Sequence, residues 1–199
     1  RNRRISVLPD KLWTLTPELA GLQATPYADA LRCMAQSIRL DRLFHSRLHG
    51  AGHISRVMVL GALLAQRAQL DENVTQLLMY ACAYHDVGRV DDSVDDEHGL
   101  RAALQVEELT GLAGQPLHCL QAAVEAHSRP DERMGDVLTK YGVADVAYAW
   151  PLAKLLKDAD GLDRVRLDML DPSYLRHAFT PPLENTAWVL WRHYPKGVL

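Results

Sequence analysis

Residues 77–89 read Leu-Leu-Met-Tyr-Ala-Cys-Ala-Tyr-His-Asp-Val-Gly-Arg. A run without a single charge ends abruptly in an imidazole beside a carboxylate, His85 and Asp86. The run continues a helical pattern that starts at Glu72, behind Asp71 as its capping residue, and its apolar content predicts a buried helix over 72–85. Gly88 closes it on the C-terminal side. Such an ending is costly. A polar pair delivered into an apolar interior must be satisfied there, and the helix dipole disfavours a carboxylate at a C-terminus. A bound cation answers both objections, because it compensates the carboxylate and takes the imidazole lone pair. A plain His–Asp hydrogen bond is the simpler alternative.

Outward from this segment the apolar spacing stays helical. Steps of three and four residues mark helices over 26–38, with Pro26 in the first turn, and over 51–70. Further helices are expected over 98–108, 116–127, 131–141, 145–166 and 183–193. Residues 1–25, punctuated by Pro9 and Pro17, read as an N-terminal arm packing on a domain formed by 26–199. No strand-period alternation, hairpin signal or glycine-rich phosphate loop is present. The expected fold is all-α, a compact single-domain bundle of about seven to nine helices.

Composition agrees. The chain has 199 residues, 48% hydrophobic and 24% charged, with a net charge of -3, which excludes a disordered or fibrous chain. Mild acidity gives no electrostatic case for a nucleic-acid or membrane-surface partner. The longest apolar stretch, 57–65, falls far short of the ~20 residues of a membrane span. Three scattered cysteines and no Cys-x-x-Cys pair point to free thiols in a reducing cytoplasm, and no signal-peptide pattern opposes that location. Trp188, Trp191 and Tyr194 recur at helical spacing, as core or as the seam of a homodimer.

The unusual count is histidine, nine in all. His49, His53 and Arg56 share one helix face by their i, i+4, i+7 spacing. Alone this is a polar face; with His85 and Asp86 it becomes half of a site. The run 157–166, Lys-Asp-Ala-Asp-Gly-Leu-Asp-Arg-Val-Arg, supplies carboxylates within core-like flanks.

The ordered set His53-x-x-Arg56-Val57, His85-Asp86-Val87-Gly88-Arg89 and Ala159-Asp160-x-Leu162 resembles the HD superfamily of metal-dependent phosphohydrolases, over about residues 48–167. The resemblance implies metal ligands at His53, His85, Asp86 and Asp160, with Asp158 as the alternative to Asp160. His98 and His127 stand where binuclear members of the family hold a second ion, with the aspartate of the HD pair bridging; the other roles open to them are acid–base chemistry and substrate binding. His49 is a secondary candidate. The N/O donor set suits Mn²⁺, Fe²⁺, Ni²⁺, Co²⁺ or Zn²⁺, one or two ions, and Mg²⁺ is less natural.

By this resemblance the chain is expected to hydrolyse a phosphoester of a small, phosphorylated, nucleotide-like substrate. A metal-activated water would attack, with Asp86 or His98 in acid–base roles and Arg56, Arg89, Lys157 and Arg164 available to the phosphate. Arg89 stands where nucleotidase-like members often carry a Glu, which weighs against a simple nucleotidase. No second motif of the HD-GYP type is present. The text around 86–99 and 160–166 is similar to a bacterial HD subgroup, and more loosely to phosphodiesterase domains acting on ADP-ribosylated protein. A regulatory module that binds metal or nucleotide without turnover is the further alternative.

Overall fold

In the computed structural model, residues 8–199 are described, and all their regular structure is helical. Ten α-helices occur: α1 (Pro17–Leu22), α2 (Pro26–Ser37), α3 (Ala51–Arg67), α4 (Glu72–Tyr84), α5 (His98–Ala103), α6 (Val106–Thr110), α7 (Gly114–His127), α8 (Met134–Lys140), α9 (Val146–Leu162) and α10 (Glu184–His193). Short 3₁₀ turns join several of them. Side-chain caps fix four helix starts: Thr16 accepts from the Leu19 amide, Thr25 from Ala28, Asp71 from Val74 and Asp145 from Tyr148.

The all-α expectation is met, with a few more helices than expected. The segment expected as one helix over 98–108 breaks at Leu104-Gln105 into α5 and α6, with no Gly or Pro to announce it. The first residues of the expected arm, 1–7, lie outside the described residues. Its remainder folds into a 3₁₀ turn, Asp10–Thr14, and α1, which bury Leu12, Trp13, Leu19 and Leu22 in the common core.

Helix α3 is the axis of that core. Every residue from 53 to 65 is buried, so this helix is enclosed all round rather than amphipathic. Against it pack α4, α9 and α2, and α7 lies against α9, α5 and α4. Gly88 has a different task from the one its position suggests. It is not a left-handed cap, since its φ is not positive; instead a Cβ there would overlap the His98 carbonyl oxygen and the Ala102 amide. The residue is small so that α5 can lie against the end of α4.

Trp188, Trp191 and Tyr194 are partly buried and packed on the core. Among the described residues no helix is long and apolar enough to cross a membrane.

Candidate metal centre

Five helix ends meet at one place. His53 lies in the first turn of α3, His85 and Asp86 follow the last residue of α4, His98 opens α5, His127 closes α7, and Asp160 sits in the last turn of α9. Three of these are C-terminal ends, whose dipoles favour a cation.

Each imidazole is held by its Nδ1. That nitrogen of His53 lies 2.7 Å from Oδ2 of Asp163, and that of His85 lies 3.0 Å from the Cys82 carbonyl. The carbonyls of Asp95 and Val124 take the Nδ1 of His98 and His127. An imidazole that donates through Nδ1 keeps a lone pair on Nε2, and here the four Nε2 atoms turn inward in two pairs. Those of His53 and His85 stand 3.3 Å apart, those of His98 and His127 2.9 Å apart.

Asp86 lies between the pairs and divides its carboxylate. Its Oδ2 is 3.6 Å from the Nε2 of both His53 and His85; its Oδ1 is 3.2 Å from His98 and 3.5 Å from His127. Asp160 adds Oδ1 at 3.2 Å from His53 and 3.7 Å from His85. His53, His85 and Asp86 form one trio whose ligand atoms lie within 4.8 Å of one another, and Asp86, His98 and His127 form another.

The donors fit a metal. Nitrogens bound ~2.05 Å from one ion stand about 2.9 Å apart at a right angle and about 3.3 Å apart at the tetrahedral angle. Both Nε2 pairs have such spacing, whereas two lone pairs facing each other without a cation repel. The electrostatics also call for positive charge. Burial opposes ionisation of Asp86 and Asp160, yet His85 and the other imidazoles hold both carboxyls well below the usual range. Burial likewise opposes a charge on His85, but the carboxylates of Asp86 and Asp160 raise it to about 9. A proton there occupies the place of a cation. His127 goes the other way, pushed by burial to about 4.

Asp158, the alternative to Asp160, is elsewhere. Its buried carboxylate accepts from the amides of Arg176 and His177 and from the Thr180 hydroxyl, 2.7–3.0 Å away. It organises the 176–180 loop. His49 sits in the turn ahead of α3, bound through Nδ1 to Asp92 at 2.7 Å, with its ring edge-on to His53 at 6.0 Å.

The four expected phosphate-binding cations part company. Arg56 is wholly buried, with its guanidinium bound to Asp163 and to the Tyr194 and Pro195 carbonyls. That corrects the expectation of a phosphate contact: the shared helix face is real, but it looks into the protein. Arg89 lies against Asp86 Oδ1 through Nε at 3.2 Å and reaches the Ser93 carbonyl. Lys157 and Arg164 line a cleft of about 450 Å³ together with His127, Asp160, Arg176, Asp171 and an apolar wall that includes Met169, Tyr174 and Leu175. Lys157 is tied to Asp131 at 2.6 Å, as is Arg176 at 2.9 Å. Arg164 makes no ion pair among the described residues; its Nε reaches the Met169 carbonyl at 3.3 Å.

Sequence reasoning assigned no part to Asp163, Asp131 or Arg176. The signal for Asp163 was available. It stands three residues after Asp160, and residues at that spacing share a helix face.

One protein family, described as HD domain, matches residues 50–165. No curated protein and no solved structure matches significantly.

Proposed function

Because the chain belongs to the HD domain family, we propose that it is a metal-dependent phosphohydrolase acting on a phosphoester of a small, nucleotide-like substrate. The observation that carries this reading is the division of Asp86, one oxygen toward His53 and His85 and the other toward His98 and His127. That division supports two ions. His53, His85, Asp160 and Asp86 would hold one, and His98, His127 and Asp86 the other, drawn from Mn²⁺, Fe²⁺, Ni²⁺, Co²⁺ or Zn²⁺. Bound there, such ions polarise a phosphoryl oxygen and lower the pKa of a water.

The protein's own groups do the rest. Asp160 both touches the cluster and lines the cleft, with 31% of its side chain exposed; it is the acid placed to orient the attacking water. Asp86, enclosed by four imidazoles, keeps the cluster together. Arg164 takes the phosphoryl oxygens, since it alone of the cleft cations is without a carboxylate partner among the described residues. The apolar wall around Tyr174 and Leu175 receives the body of the substrate. Free thiols at Cys33, Cys82 and Cys119 suit a reducing cytoplasm.

The test is elemental analysis of the purified protein, paired with a panel of phosphomonoesters and phosphodiesters. One to two equivalents of transition metal and metal-dependent cleavage of a panel member are expected. Less than a tenth of an equivalent, unchanged in His85→Ala, would overturn the reading. Stoichiometric metal with no cleavage across the panel would overturn the catalytic part of it.

A further inference from the structure

We propose that Asp163 and Arg56 are positioning residues for His53, and that residues 194–198 brace them from behind. This rests on the metal centre described above. His53, Arg56 and Asp163 are each wholly buried. Arg56 already neutralises Asp163 in a two-pronged pair, Nε to Oδ1 at 2.8 Å and Nη2 to Oδ2 at 3.1 Å. Charge balance therefore needs nothing more from His53. The bond from its Nδ1 to Oδ2 at 2.7 Å has another consequence: it fixes the tautomer and aims Nε2 at His85, Asp86 and Asp160. A carboxylate behind a ligand imidazole sets its orientation and basicity.

Arg56 is held in turn. Its Nη1 donates to the carbonyls of Tyr194 and Pro195 at 2.9 and 3.1 Å, and its guanidinium lies 4.9 Å from the centre of the Trp191 ring. The Val198 amide donates to the Ser55 hydroxyl at 2.8 Å. Gly197, at φ +109°, lets the segment press against Gly52 in the first turn of α3. Residues 191–198 lie beyond the family match at 50–165.

Two measurements test it. Equilibrium competition for Zn²⁺ against a chromophoric chelator should show Asp163→Asn binding about 10- to 100-fold more weakly than the parent, with the helical circular dichroism retained. The same substitution added to His53→Ala should weaken binding by less than about twofold, because the ligand it serves is gone. A residue with a merely structural part would lower affinity equally in both backgrounds. In case Asp163→Asn does not fold, the parent protein carries the second measurement. Histidine ¹⁵N spectra of the Zn²⁺-loaded protein should show His53 protonated at Nδ1 and bound through Nε2. Parent-like affinity in Asp163→Asn, equal losses in both backgrounds, or an Nε2–H tautomer at His53 overturns the proposal. A parent protein that takes up no Zn²⁺ overturns the metal centre and this proposal together, whereas parent binding with an indifferent Asp163→Asn overturns this proposal alone.

Discussion

His98 and His127 face each other Nε2 to Nε2 across 2.9 Å, each anchored behind by a main-chain carbonyl at Nδ1. Two neutral rings anchored in this way direct lone pairs at one another. Burial has pushed His127 to about 4, so that ring does not supply a proton near neutral pH. A divalent ion takes both lone pairs. His127→Ala should therefore lose one ion equivalent and keep the one at His53, His85 and Asp160. Metal analysis by mass spectrometry after gel filtration checks this. Loss of both ions, or of neither, would mean the two imidazole pairs do not act as separate positions.

Asp160 and Asp158 are two residues apart, and their substitutions should fail in opposite ways. Asp160→Asn should weaken metal binding with little change in the urea midpoint, because one edge of its carboxylate reaches the cleft. Asp158→Asn leaves fewer acceptors for the amides of Arg176 and His177 and the Thr180 hydroxyl, all around a wholly buried group. A loss on the order of 3 kcal/mol in stability is expected, with metal content unchanged. Metal loss in Asp158→Asn without destabilisation would return it to the ligand set.

The contrast shows what sequence carries and what it omits. The buried helix ending in His85-Asp86 and the start of α4 behind Asp71 were legible, since apolar periodicity reports faces; Asp160 as the partner of His53 followed only from the resemblance to the HD superfamily. Depth was not legible. Spacing put Arg56 on the face of His53, but only the packing of α3 on all sides reveals that the face is interior. In the run 157–166 a helix turns each residue about 100° from the last, so Asp158 lies about 200° from Asp160 while Asp163 lies only about 60° from it. Which of Asp158, Asp160 and Asp163 meets the histidines depends on how α9 is rotated, and that is set by tertiary contacts. The break between α5 and α6 lacks a Gly or Pro and had no local signal.

Arg164 offers a separate handle on substrate. It lines the cleft without an ion pair among the described residues, so its removal disturbs little of the fold. A hydrogen bond to a charged group contributes about 1.5–3 kcal/mol. Arg164→Ala should then weaken kcat/KM for an anionic phosphoester by about 10- to 100-fold, since 1.4 kcal/mol is a factor of ten, while metal content and the urea midpoint stay as in the parent. An unchanged kcat/KM would place the phosphate elsewhere in the cleft.

Acid should loosen the cleft through Asp131. Bonds from Arg176 and Lys157 hold its carboxyl at about 2, below its ordinary 3.8. Between those values the unfolded chain takes up a proton that the folded one does not, so folding stability falls as the pH falls. The contribution is complete above about pH 4 and is lost on descent through about pH 2. Asp131→Asn has no such titration. Its urea midpoint should lie below that of the parent at pH 6, and the gap should narrow as the pH drops from 4 toward 2. The side chain is partly exposed, so salt should shrink the gap at pH 6 as well. A gap of constant size across this range would mean that Asp131 contributes by packing alone and that its ion pairs with Lys157 and Arg176 add nothing to the stability of the cleft wall.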